Sequence, residues 1–431
     1  MKSLAPQFTE FFRFELLRIL GTAPFHGCDV SEWVEATESI KQDDPESWYR
    51  AWTQAAERVE VMAEEAINNG DRHGARWAFL RACNYRRASE FMLHVQPSDP
   101  RLLASLVKAS DNFRQASKLL DSPVESLEIP FGSDSMLPGY LFLPAGGTGA
   151  GHTRGTIPIL VATGGFDSIQ EELFFGMADG ARVRGYACVT FEGPGQGVVA
   201  RRGIDRLLLR PDWEVVIKAV LDHIFQLAGA KPHLNLDLTR IALVGASMGG
   251  YFALRGATDP RVSAVVSVDG FYDLGEMMAS RTPRFLWPEN LGDGIFNYLL
   301  GSAQRWDFQT RWEFQHAMLA TGATTPAEVY RQLARYHLRG PEGGPSVLDG
   351  IKCPALITGS RDTLYWSLED STYRIVRELT RLEEGKDKKV WIPTGWGQGS
   401  LQAKVGAFSH FHHNMFAWLD DVFGIGADQQ S

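Results

Sequence analysis

The run IALVGASMGGYFALRGA contains Gly245-Ala246-Ser247-Met248-Gly249, a spacing that speaks directly of chemistry. An apolar, β-rich stretch precedes it and a helix-forming one follows. The expected result is a sharp strand-to-helix turn that only glycines permit, lifting Ser247 Oγ above the strand ends as a nucleophile. The Met248 N–H then points where negative charge would develop on a carbonyl oxygen, at the positive end of the next helix. A tight turn with an idle serine is the plainer alternative, but strand, motif and helix agree. A second donor should come from the loop after an earlier strand, and ILVATGGFDSIQEELFF fits. There Gly165 or Phe166 N–H could face Met248, while Asp167 or Ser168 also suits a helix cap. In chain order an acid and then a histidine should follow the serine. CPALITGSRDTLY supplies Asp362 after a later apolar strand. Asp269, after VSAVVSV, competes with it, and strand order favours Asp362. For the base, the loop from Thr394 to Gln402 is the expected place, and it holds no histidine.

These residues need a frame. IPILVATGG, ACVTFEG, RIALVGAS, VSAVVSVDG, CPALITGSRD and KKVWIPTG are short apolar runs separated by helical stretches. That alternation predicts an α/β protein with a mostly parallel, doubly wound sheet covered on both faces. VESLEIPFGSDSMLPGYLFLP (124–144) reads as a hairpin, and the glycine-rich 146–156 as a flexible loop. Residues 1–122 look helical throughout. DPESWYRAWTQAAERVEVMAEEAINNG has Asp44-Pro45 as its start and Gly70 as its stop, and a second helix follows to make an αα-hairpin. The expected organisation is a helical cap, 1–122, and a catalytic domain, 123–431. Within the latter, an aromatic-rich helical lid occupies about 274–350.

At 431 residues the chain exceeds a single core. A net charge of −9 argues against nucleic-acid binding, and the short basic patches at 182–185 and 200–210 suit a solvated face. Four scattered cysteines carry no metal spacing, and no metal or other cofactor is implied. No run is apolar enough to span a membrane, and the N-terminus lacks a signal peptide's apolar core, so a soluble, cytoplasmic protein with no membrane partner is expected. The oligomeric state is open and admits a homodimer.

The chain resembles the α/β-hydrolases. More narrowly it resembles a fungal branch that includes yellowish-green pigment polyketide-shortening hydrolases and fusarin-pathway hydrolases; bacterial pseudooxynicotine-type C–C hydrolases are more distant. DPESWYRAW, LRACNYRRASEFML, GGFDSIQEE, FEGPGQG, GASMGG and FAWLDD carry the likeness, in that order and over nearly the whole chain. It implies the α/β-hydrolase fold with an N-terminal helical cap, serine-dependent chemistry and a polyketide-derived small-molecule substrate. In relatives with a full triad, the loop before the last helix has a histidine ahead of VGA; GSLQAKVGA puts Gln402 in that place. A glutamine amide donates and accepts hydrogen bonds but takes no proton near neutral pH.

A later histidine could substitute. Apolar residues at 408, 411, 415, 419 and 422 form a helical stripe, with His410 nearly opposite it and His412 at its edge. A helix starting at Gln402 would carry both roughly 12–15 Å away. One starting near Phe408 could let His410 swing back. His26, His316 and His337 are more distant candidates. Without a base, the oxyanion donors still stabilise an enolate. Three readings follow: ring closure in a polyketide–amino acid hybrid, hydrolysis of a C–C, ester or amide bond with a displaced histidine, or metabolite binding without turnover. The pocket should be large and apolar, drawing on some of Trp48, Trp52, Tyr85, Phe91, Phe285, Trp287 and Trp306. FEGPGQGVVARRG lacks a phosphate-loop lysine and reads as a turn near the site's mouth.

Overall fold

All six apolar runs and the hairpin become strands of one sheet in the computed structural model, which describes residues 4–144, 156–340, 344–363 and 365–425. The glycine-rich run 146–156 lies, apart from Thr156, outside the described residues. The strands are β1 (Val124–Phe131), β2 (Ser135–Phe142), β3 (Ile157–Thr163), β4 (Ala187–Phe191), β5 (Leu236–Ala246), β6 (Ala264–Val268), β7 (Ala355–Thr358) and β8 (Lys388–Trp391). Their order is β1-β2-β4-β3-β5-β6-β7-β8. The hairpin β1–β2 and the β2–β4 pair are antiparallel; every other pairing is parallel. Strands β3, β4, β6 and β7 are buried along their whole length, as a parallel sheet covered on both faces requires. The expected doubly wound sheet is therefore present. Its parallel register pairs Thr163 with Gly245 and Ala246 with Val268. One edge of the sheet thus gathers the residues that follow β3, β5, β6, β7 and β8, where open α/β sheets place their chemistry.

The chain divides into two compact units. The sheet unit is Asp121–Val199, Arg210–Leu274 and His337–Ser431. The helical unit is Met1–Leu120, Ala200–Leu209 and Gly275–Tyr336. In the latter, helix Pro45–Asn68 begins where Asp44 accepts from the Glu46 and Ser47 amides at 3.0 and 3.2 Å. It ends before Gly70, whose φ of +73° suits glycine. Helix Arg72–Phe91 returns alongside it as the expected αα-hairpin. Gly275–Tyr336 shares this unit's core: Phe308 and Trp312 are buried with Phe11, Phe12, Trp48 and Phe91. Trp312 Nε1 donates to Phe91 O at 2.7 Å, and Trp48 Nε1 to Ala88 O at 2.7 Å. Aromatic residues supply much of the apolar content of this core, and the Trp48 and Trp312 N–H groups are satisfied within it. By contrast Phe285 and Trp306 are 68% and 91% exposed. All four cysteines are buried thiols, and burial pushes Cys28 and Cys353 up to about 12. Among the described residues no helix is long and apolar enough to cross a membrane, and no metal-binding cluster is formed.

Candidate active site

Ser247 sits between β5 and the helix Met248–Gly256 with φ 58° and ψ −121°, a sparsely populated conformation held by its surroundings. Its N–H donates to Val268 O at 2.8 Å, and its carbonyl accepts from Gly250 N at 2.9 Å. Both flanking glycines are sterically required. A Cβ on Gly245 would lie 2.1 Å from Gly249 O, and one on Gly249 would lie 2.8 Å from Thr163 O. Met248 opens the helix, so its amide has no intrahelical acceptor. The serine is half-buried.

The loop after β3 packs on this elbow: a Cβ on Gly165 would meet Ala246 O at 3.1 Å. Gln196, 1% exposed, fixes the loop. Its Nε2 donates to Gly164 O at 2.9 Å and to Gly165 O at 2.7 Å, while its Oε1 accepts from Gly193 N at 2.8 Å. Gly165 N–H donates to Ser168 Oγ at 3.2 Å. Of the two expected second donors, that amide is thus engaged, and Phe166 N–H is the next along the chain.

After β6 comes Asp269, 1% exposed and with φ 51°. Its strand neighbour is the elbow, since Ala246 pairs with Val268 and the Ser247 amide binds Val268 O. Its carboxylate is crowded with donors. Thr358 Oγ1 and Lys404 Nζ donate to Oδ1, each at 2.7 Å, and Ser360 Oγ donates to Oδ2 at 2.6 Å. Gln402, 2% exposed, donates through Nε2 to Asp269 O at 3.1 Å, while its Oε1 is buried without a hydrogen-bond partner. The structure therefore brings together the elbow, Asp269 and Gln402. It does not bring Asp362 into this group. That residue is exposed, its Oδ2 accepts from Ser400 Oγ at 2.5 Å, and its N–H donates to Ser400 O at 3.0 Å. Asp362 thus ties down the segment just ahead of Gln402.

The candidate histidines make contacts of their own. The last helix starts at Phe408, and His410 lies exposed in its first turn with its ring 5.9 Å from that of Trp391. His412 is buried, with Nε2 donating to Gly176 O at 2.7 Å, and burial pulls its pKa down to about 4. Burial also lowers the pKa of His337. In the helical unit, His316 stacks on His94 and Trp312, and His26 on Trp77.

An elbow serine on β5 and a glycine loop after β3 of a mostly parallel sheet mark a known architecture, and a model of the alpha/beta hydrolase family matches residues 141–403. The chain belongs to that family. It is 46% identical to the 20-hydroxy-prefusarin hydrolase of Gibberella moniliformis, across 97% of this chain and 98% of that protein. It is also 46% identical to an alpha/beta hydrolase of Aspergillus fumigatus, across 96% of this chain and 94% of the other. Among solved structures, the 2,6-dihydroxy-pseudo-oxynicotine hydrolase shares its fold with a TM-score of 0.69 at 22% identity, covering 94% of this chain and 95% of that one. The resemblance to fungal hydrolases of secondary metabolism is borne out, and the protein is an enzyme.

Gln196 and Lys404, like Thr358 and Ser360, escaped the sequence reading of this alpha/beta hydrolase site. Gln196 lay inside FEGPGQG, where the glycines drew attention to a turn. Lys404 carried a signal that could have been used: it stands in LQAKVGAF, where a charge among apolar and small residues needs a buried partner.

Proposed function

We propose that this alpha/beta hydrolase acts in fungal secondary-metabolite biosynthesis on a polyketide or a polyketide–amino acid hybrid. We infer that it promotes ring closure, an intramolecular condensation of the pyrrolinone or lactam type. One observation carries the reading. Gln402 is buried with its amide on the Asp269 carbonyl; the resemblance implies that this is the place a full triad gives to histidine, and a glutamine amide takes no proton near neutral pH.

The residues would work as follows. A substrate carbonyl oxygen accepts from Met248 N–H, with Phe166 N–H and Ser247 Oγ–H as further donors, and its carbon becomes electrophilic. A methylene between two carbonyls of the same molecule is acidic enough to give its first proton to solvent water, and its carbon attacks. The C–C bond forms as the C=O pair moves onto oxygen. In net balance both methylene hydrogens leave with that oxygen as one water, and the ring gains a double bond. Gln402 Oε1, a buried acceptor with no partner, suits a substrate amide N–H. Holding the two ends in contact replaces a bimolecular encounter and supplies much of the acceleration.

The alternative is hydrolysis through a serine ester, favoured by the intact elbow and by the activity for which the Gibberella relative is named. A β-ketoamide carrying an amino aldehyde, followed by mass spectrometry, separates the two. Ring closure yields a product lighter by one water, and Ser247→Ala slows it at least about 100-fold. A product that has gained water, or has split in two, refutes the condensation.

A further inference from the structure

The Asp269 carboxylate beside the elbow has a buried lysine as partner. Lys404 is 0% exposed, and its Nζ has three acceptors: Asp269 Oδ1 at 2.7 Å, Gly359 O at 3.0 Å and Ser360 Oγ at 3.2 Å. Three acceptors match the three N–H bonds of an ammonium. Its Nζ lies over Trp391, 5.3 Å from the ring centre. Backbone geometry enforces the placement, because Ala403 and Lys404 both have positive φ, 55° and 58°. Such strain persists only where the surroundings over-determine it. The same turn that presents Gln402 to Asp269 O thus delivers Lys404 to the Asp269 carboxylate.

In a serine triad the carboxylate holds the imidazole in the right tautomer and stabilises its cation; removing it from the prototype costs about 10⁴ in rate. A carboxylate paired with an ammonium and bound by two hydroxyls can do little of either. We propose that Lys404 is a positioning residue that withdraws Asp269 from acid–base work. Two substitutions, not one, then separate this site from a working triad. The inference rests on Ser247 as the reacting hydroxyl but not on ring closure, so its test uses a reagent that reports on the hydroxyl alone.

The experiment follows phosphonylation of Ser247 by a fluorophosphonate, read as intact mass against time, with Ser247→Ala as the blank. The wild type should react slowly. Gln402→His should gain less than about 10-fold, because its imidazole meets a cancelled carboxylate. Gln402→His with Lys404→Met should react at least about 100-fold faster than Gln402→His. Gln402→His with Lys404→Gln removes the charge but keeps a donor on Asp269, and should show the same gain should the methionine protein not fold. A gain of reactivity cannot come from lost packing. The proposal is overturned if Gln402→His alone matches the folded double variant, or if the folded double variants stay as slow as Gln402→His. It is also overturned if the wild type already reacts as fast as the double variant. Failure of the ring-closure assay with success here would remove the condensation and keep Lys404.

Discussion

Gln196 should be worth more to turnover than its distance in sequence from Ser247 suggests. Its side chain makes three buried hydrogen bonds, two to the carbonyls of Gly164 and Gly165 and one from the Gly193 amide. Gln196→Ala leaves those three backbone groups without a partner in a site that is 1% exposed. At about 1 kcal/mol for each lost bond, the destabilisation is about 3 kcal/mol. The functional effect is separate. With both carbonyls released, the glycine loop can rotate and its amides lose their aim at the oxyanion. Misplacing one such donor costs about 10²–10³ in turnover. The expected outcome is therefore a kcat for ring closure lowered about 100-fold with KM changed little. Urea unfolding followed by tryptophan fluorescence reads the stability, and the surrogate substrate reads the rate. Gln196→Glu tests the direction of the bonds, because a carboxylate keeps the shape but offers two carbonyls no donor. It should be at least as slow as Gln196→Ala. If both variants lose stability yet keep kcat within twofold, Gln196 supports only packing and the account of the oxyanion loop is wrong.

Lys404→Met alone should lose about 3–5 kcal/mol in urea unfolding, because it leaves a buried carboxylate uncompensated; Asp269→Asn with Lys404→Met should return to within about 1 kcal/mol of wild type. A single variant as stable as the double would mean that the pair is not buried in solution. Asp362→Asn should change ring-closure turnover less than threefold, since its side chain is exposed and holds Ser400; a drop of about 1,000-fold would restore Asp362 as the site's acid. His412 makes stability depend on pH. Its folded pKa, about 4, lies below the unfolded 6.5, so the unfolded chain binds more protons between those values and stability rises with pH. About 3 kcal/mol should be lost on acidifying from pH 6.5 to 4, and His412→Gln should flatten that slope.

What could be read in advance, and what could not, follows from where each signal lies. Elements announce themselves locally. Asp44-Pro45 starts a helix, Gly70 ends one, and uninterrupted apolar runs such as IPILVAT mark buried strands whatever surrounds them. The elbow is equally local, because its glycines answer contacts within five residues as well as with β3. Asp269 and Asp362 defeat that kind of reading. Each follows an apolar strand, and nothing adjacent distinguishes them. The difference comes from Thr358 and Ser360 at the end of β7 and from Gln402 and Lys404 in a turn after β8, which reach Asp269 from 89 to 135 residues away. Strand order pointed to β7; the donors converge on β6.

That convergence also gives the altered loop its physical sense. With histidine at position 402, the unpaired charge of Asp269 would be useful, because an imidazolium forms beside it during acyl transfer. With glutamine there, the same buried carboxylate would remain an uncancelled negative charge, opposing the enolate that the proposed ring closure forms. Lys404 removes that opposition without filling the site, since its ammonium lies 5.3 Å from the Trp391 ring centre and binds Gly359, Ser360 and Asp269. On the proposal made for Lys404, Gln402 and Lys404 act as one unit. A glutamine without the lysine would lose the base and keep a charge that hinders every anionic intermediate; a lysine without the glutamine would disable a histidine still present. Only together do they leave a neutral floor beneath an intact oxyanion site.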